Sequence, residues 1–297
     1  RYNDQLLNSL TDQARVVQTW QRDVDAISAG SNESFTQIIP MDNILPEALG
    51  DIHNRRDNPE QYRGLDFGYK TLMDNYVFYP GKYMVVMAPE GGGKTTFMLN
   101  IARNLAMKGH PVSYVIIEND PLLTTQRLLC MHSGVSFKRI QVGGKDADGI
   151  DDTTIRELES AKEELMGDFA SRFNWIQTHQ YTKAGTILKK VDQVRTYSNL
   201  DTLFIDYLGI VGSDISKPDR PDLELADTSA KFQSYGSEHE IFVMTAQQMQ
   251  RNKVKEIYKQ MKKGDEFSAD TSDVSGTKEI AAACDYLFAL MIDRENE

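Results

Sequence analysis

Cysteine is nearly absent. Cys130 and Cys284 are the only two in 297 residues, too few and too far apart for a disulfide framework or a zinc cluster, so both are expected to serve as small buried apolar residues. The five histidines, His53, His110, His132, His179 and His239, fall at no metal-ligand spacing and receive no role. Long apolar runs are missing too. None approaches the roughly 20 residues of a membrane span, and no basic-then-apolar leader opens the chain, so no membrane association and a cytoplasmic location are expected. An excess of positive charge is also lacking. Thirty-three Lys and Arg stand against 44 Asp and Glu, a net charge of −11, which argues against a protein that coats duplex DNA electrostatically. It leaves open a protein that grips nucleic acid in one local basic channel. What remains is 40% apolar residues, enough for a substantial core, in a length that allows one large α/β domain with an appendage or two small domains.

The segment "APEGGGKTTF", residues 88–97, follows the apolar run Tyr83–Ala88 and reads Ala/Gly-x4-Gly-Lys-Thr. This is the pattern of a phosphate-binding loop, with Ala88 where Gly is commoner. Each residue type has a mechanical reason. Glycines allow main-chain N–H groups to point into one concavity, and the following helix aims its N-terminus at an anion. Lys94 can reach terminal phosphates, and the Thr95 hydroxyl can hold Mg2+. Ala88, Pro89, Glu90, Gly91, Gly92, Gly93, Lys94, Thr95 and Thr96 are therefore the candidate nucleotide-binding residues. The flanks agree: Phe97, Ile101, Ala102 and Leu105 recur at helical spacing until Gly109, so the loop opens a helix.

Residues 4 to about 28 read as one amphipathic helix with Leu6, Leu10, Val17, Trp20, Val24 and Ile27 on a stripe, and residues 1–30 are assigned to it. Residues 31–61, with Pro40, Pro46, Pro59 and "HNRRDNPEQ", read as an irregular linker. From 62 to 297, strand-like runs at 83–88, 112–117, 173–177, 202–206, 241–245 and 286–291 alternate with helical patterns, among them 94–108, 151–167 and 184–198. The 151–167 helix would carry Ile155, Leu158 and Leu165 inward. Such alternation predicts an α/β fold, a mostly parallel sheet covered by helices on both faces, with ligands at the carboxyl ends of the strands.

Acids and amides stand at those ends. Asp206 closes "TLFID", where a second metal carboxylate is expected, usually acting through water. Glu118 closes "VSYVIIE" and could polarise an attacking water, with Asp120 as a rival two residues on. Gln247, Gln248 and Arg251 close "VMTAQQMQR", where a glutamine can bond the γ-phosphate or the water. The stretch "RNKVKEIYKQMKKGD" follows directly, concentrating Arg251, Lys253, Lys255, Lys259, Lys262 and Lys263. Alone it would be a solvated face; behind a nucleotide-sensing strand end it becomes a candidate DNA contact.

"GLDFGYKTLMDNYVFYPGKYMVVMAPEGGGKTTFMLNIARNLA" resembles the start of the RecA-type motor domain of DnaB-family hexameric replicative helicases. "YVIIENDPLLTTQRLLC", which keeps the family's Arg at Arg127, is similar to its strand-Glu-Met segment, and "FIDYLGI", "TAQQMQR" and "TSDVSGTKEIAAACDYLFAL" resemble three further segments in the family's order. The wording of the short motifs leans toward the bacteriophage-encoded branch, hence a bacterial or phage-infected host cell. The resemblance spans residues 62–294 and implies a RecA-like motor binding ATP and Mg2+ through Lys94 and Thr95. It further implies Glu118 as catalytic base, Asp206 as second metal residue, Gln248 as γ-phosphate sensor, and a linker helix in residues 1–30 docking on an adjacent subunit. Single-stranded DNA, a homo-oligomer expected to be a hexamer, a primase and a helicase loader are the implied partners. Two departures stand out. Where many relatives place Arg-Glu before the last strand, this chain has Ser275-Gly276-Thr277-Lys278, with Lys278 as the replacement DNA contact. The family's trans-acting arginine lies on a strand later than Glu297, and Arg1 in place of an initiator Met fits a fragment. Two alternatives stand beside a helicase: a recombination-type RecA-like ATPase, and a nucleotide-gated scaffold or loader that does not unwind.

Overall fold

The computed structural model of the chain describes residues 40–145, 149–215, 220–249, 254 and 277–291. The chain divides into two units, at Tyr62 and Arg63. In the first, α1 spans Met41–Asp57 and a 3-10 turn spans Pro59–Tyr62. From Met41 onward this corrects the irregular linker expected over residues 31–61; residues 31–39 lie outside the described residues. Pro40 stands just ahead of the helix in extended conformation, where its missing N–H costs little, and Pro46 removes one interior bond. Arg55 donates to Asp51 one turn earlier at 2.7 Å, and Arg55 and Arg56 sit in the last turn, where cations favour the helix dipole. Met41, Leu45, Leu49 and Ile52 recur along one face of α1, each more than half exposed. The helix expected over residues 1–30 lies outside the described residues.

In the second unit, α2 (Lys70–Asn75) leads to β1 (Tyr83–Ala88), α3 (Lys94–Met107), β2 (Val112–Ile116), α4 (Pro121–Ser133) and α5 (Phe137–Val142). Next come α6 (Asp152–Leu165), α7 (Asp168–Arg172), β3 (Phe173–Gln177), α8 (Ala184–Arg195), β4 (Thr202–Asp206) and α9 (Pro221–His239). β5 (Phe242–Gln248), α10 (Thr277–Ala283) and β6 (Tyr286–Ala289) close the order. The strands form one sheet in the order β3-β2-β4-β5-β1-β6, parallel at every pairing.

Parallel sheets bury both faces, which is why these strands are apolar runs instead of alternating ones. Along β1, Tyr83, Val85 and Met87 face one core, with Ile187, Val191, Phe232 and Ile280. Met84 and Val86 face the other, with Met98, Ile101, Leu105 and Phe204. The segment before β1 belongs to that second core: Phe67 and Phe78 are wholly buried and stack with ring centroids 4.1 Å apart. Helix α6 shows a shifted face. Thr154 and Ala161 are buried, Leu158 is half-buried and Leu165 packs on the core, whereas Ile155 is 42% exposed. β5 runs to Gln248, three residues past the predicted end, and β6 stops at Ala289, two short. Among the described residues no helix is long and apolar enough to cross a membrane.

Candidate functional site

Sheet register brings the candidate residues to one rim. Ala88 pairs with Gln248 across β1 and β5, and Ile116 pairs with Asp206 across β2 and β4. The loop after β1, Glu118 after β2, Asp206 ending β4 and Gln248 ending β5 therefore emerge at the same carboxyl edge, where open parallel sheets bind ligands. A cavity of about 770 Å3 opens there, lined by the loop from Glu90 to Thr96 and by Glu118, Asp206, Tyr207 and Gln248. Ala88 and Pro89 are buried behind this lining.

The loop has the backbone that its glycines permit. Gly91 and Gly93 have φ of 69° and 78°, in the left-handed region that strains side-chain-bearing residues. A Cβ on Gly92 would come within 2.9 Å of Pro89 Cδ and O. Gly93 caps α3, whose first residues are Lys94, Thr95 and Thr96, so a dipole-bearing N-terminus faces the cavity. Lys94 Nζ donates to the Pro89 carbonyl at 3.2 Å and sits 5.7 Å from the Tyr207 ring centroid. Burial lowers the Lys94 ammonium pKa, and the nearby Asp206, Glu118 and Glu90 charges raise it.

Asp206 is 6% exposed. Burial pushes its carboxyl above the usual range, against the nearby Thr95 hydroxyl, the Tyr114 hydrogen bond and the charge of Lys94 that lower it. Thr95 and Asp206, hydroxyl and carboxylate, form a donor pair that fits Mg2+, an ion that takes one or two protein oxygens and completes its shell from water and phosphate. Among the described residues, no cluster of three or more His, Cys, Asp and Glu side chains offers a closed metal cage.

In both pairs left open by the sequence, one member lines the cavity and the other does not. Asp120 caps α4, its Oδ1 accepting from Leu122 N at 2.8 Å and Leu123 N at 3.2 Å, and it is not among the residues lining the cavity, whereas Glu118 is. Of the two glutamines, Gln248 lines the cavity. Gln247 is buried on the opposite side of β5, close to Gly209, and its Oε1 has no hydrogen-bond partner among the described residues. Arg251, Lys253, Lys255 and Lys259 lie outside the described residues. So does the side chain of Lys278, whose backbone belongs to α10.

Sequence reasoning missed several lining residues. Tyr207 was hidden inside "FIDYLGI". The far end of the cavity comes from Arg127, Cys130, Met131, Val135 and Phe137, with the Arg127 guanidinium 5.3 Å from the Phe137 ring centroid. Cys130 is buried as expected, yet it also contributes to this wall, and burial raises its thiol pKa. The only signals were the helical spacing of Arg127, Cys130 and Met131 and the family position kept by Arg127.

The family profile described as DnaB-like helicase C terminal domain matches residues 64–292. A probable plasmid replicative DNA helicase of Chlamydia psittaci is 26% identical over 210 residues, which cover 68% of this chain and 44% of that protein. The replicative DNA helicase DnaC of Bacillus subtilis is 25% identical, over 67% of this chain and 42% of its own length. The chain thus spans less than half the length of these two curated relatives. Among solved structures, a DnaB-like replicative helicase, described with its interactions with primase, superposes with a TM-score of 0.70 at 17% identity. That match covers 95% of this chain and 63% of the other. The ATPase domain of G40P matches with the same TM-score and identity, over 88% of this chain and 86% of its own.

Proposed function

The chain belongs to the DnaB-like helicase C terminal domain family, and from that premise we propose that it is the ATP-hydrolysing motor of a replicative DNA helicase. It moves along single-stranded DNA as a homo-oligomer, a hexamer in the family's manner. The observation that carries the reading is the convergence of a glycine-rich loop, an exposed carboxylate, a buried carboxylate and an amide from four strand ends on one cavity.

Lys94 and the N-terminus of α3 would hold the terminal phosphates, and Thr95 and Asp206 would hold the hydrated cation. Mg2+ bound there would neutralise phosphate charge. Glu118 lines the same cavity and, among the described residues, no cap or strand bond occupies its carboxylate, so it takes the proton of the attacking water. Gln248 bonds the γ-phosphate, and its place at the end of β5 hands the nucleotide state to the basic stretch beginning at Arg251. Arg251, Lys253, Lys255, Lys259 and Lys278 contact DNA phosphates. Primase and a loader are proposed partners by analogy with the primase-binding relative.

The test is DNA-stimulated ATP turnover coupled to strand separation, in parent protein and in Glu118→Gln. A motor shows stimulation and unwinding that the variant loses. A scaffold or loader binds ATP with no stimulation and no unwinding, and that outcome would replace the reading. Strand exchange in place of unwinding would favour the recombination-type ATPase.

A further inference from the structure

Tyr114 lies in the middle of β2 with no exposed surface. Its ring stacks on Phe204 of β4, centroids 5.7 Å apart, and meets Trp175 of β3 edge-on at 5.4 Å. A phenylalanine would make both contacts, so packing gives no reason for the hydroxyl, and a buried hydroxyl is costly unless it is bonded. This one donates to Asp206 Oδ2 at 3.2 Å. Thr95, from the first turn of α3, stands near enough to the same carboxylate to lower its pKa. With one hydroxyl partner a carboxylate can still turn about its Cβ–Cγ bond. A second partner, carried on a ring that neighbouring strands hold in place, removes that freedom.

We propose that Tyr114 is a positioning residue of the cation site, whose phenol holds the Asp206 carboxylate in the orientation that serves Thr95 and Mg2+. The proposal rests on the assignment of Asp206 to the metal made above. It extends that assignment to a residue that the sequence presents as one more apolar strand position. Groups that orient metal-binding side chains change metal affinity about 10–100-fold when removed, and a neutral phenol acting on one carboxylate belongs near the lower end.

The experiment is equilibrium binding of a fluorescent ATP analogue to the full chain, titrated with Mg2+ and repeated in EDTA, so that turnover plays no part. Tyr114→Phe should raise the half-saturating Mg2+ concentration roughly tenfold, with a much smaller change in EDTA. Tyr235→Phe, which removes a hydroxyl bonded to Asp192 at 2.7 Å outside the cavity, should keep the parent's Mg2+ curve. In an Asp206→Asn background Tyr114→Phe should add almost nothing, because the two residues act through one contact. A Tyr114→Phe curve that superimposes on the parent's overturns the proposal, and so does an equal loss of affinity in Mg2+ and EDTA, the mark of a packing defect. If Asp206→Asn itself leaves the Mg2+ dependence intact, the metal assignment fails first and the proposal falls with it.

Discussion

Residue by residue, the proposed motor divides its cavity between holding and chemistry. Lys94 is the cation that the glycine-rich loop carries into it, half-buried and, among the described residues, hydrogen-bonded to a loop carbonyl. Lys94→Ala should therefore abolish ATP turnover, and a variant hydrolysing ATP at the parent rate would remove the phosphate-loop assignment. Glu118→Gln preserves size and hydrogen bonding but removes the proposed base. It should still bind ATP and assemble while turning over at least about a hundredfold more slowly. Asp120 offers the complementary control. Its carboxylate is used by Leu122 N and Leu123 N, so Asp120→Asn, which keeps the cap, should retain turnover. Asp120→Ala should lose about 1 kcal/mol of stability in chemical denaturation. Inactive Asp120→Asn alongside active Glu118→Gln would exchange the roles of the two acids.

At the scale of elements, the side that a helix turns inward decides what its residues are worth. Helix α3 lies against the sheet with Ile101, Ala102 and Leu105 wholly buried, and Leu105→Ala should cost about 2–5 kcal/mol. Helix α6 has an apolar stripe in sequence, but Ile155 stands 42% exposed on it. Ile155→Ser should accordingly fall within about 0.5 kcal/mol of the parent. Urea unfolding of the two variants checks both, and a loss of several kcal/mol at Ile155 would mean that this face is covered by something beyond the single chain. Helices α3, α4 and α6 are also tied by a polar contact line: Arg103 Nε donates to His132 Nδ1 at 2.8 Å, and His132 Nε2 meets Glu164 Oε2 at 3.1 Å. The line anchors α4, and with it Arg127, to the helix that follows the phosphate loop.

For the whole molecule, the proposed motor needs neighbours and a track. Residues from Arg63 onward form a unit of their own, so deleting residues 1–62 should leave a cooperatively melting protein. The apolar face of α1, with Leu45, Leu49 and Ile52 each more than half exposed, is lost in that deletion, as is the stripe from Leu6 to Ile27. Light scattering should then show a shift toward monomers and ATPase should fall, and an unchanged mass would free this segment from any role in assembly. The track is tested by salt. If Lys253, Lys255 and Lys259 each neutralise a phosphate, single-strand affinity falls with salt at a log–log slope of about −0.7 per contact. Reversing all three to Glu should flatten the slope by about two units and abolish DNA stimulation of turnover. Identical slopes would return the stretch to an ordinary solvated surface and move the DNA contact toward Lys278.

The strands, the glycine-rich loop opening a helix and the family order were legible in the sequence, because these are local. Five glycine-to-threonine positions, Gly91 to Thr95, carry their own backbone requirement, and a doubly buried strand such as β1 is an unbroken apolar run wherever it is read. Glu118, Asp206 and Gln248 were legible because parallel strands deliver their ends to one side whatever the strand order. It took the fold to show that Glu118 and not Asp120, and Gln248 and not Gln247, line the cavity, since residues at a strand end differ in direction, and direction follows from sheet register and from which carboxylate the next helix takes as its cap. The same holds for Tyr114. In β2 it looks like core, and it becomes part of the site because β4 lies beside β2 in the sheet and sets the Asp206 carboxylate against its hydroxyl. That adjacency joins residues 92 positions apart, which no local pattern encodes.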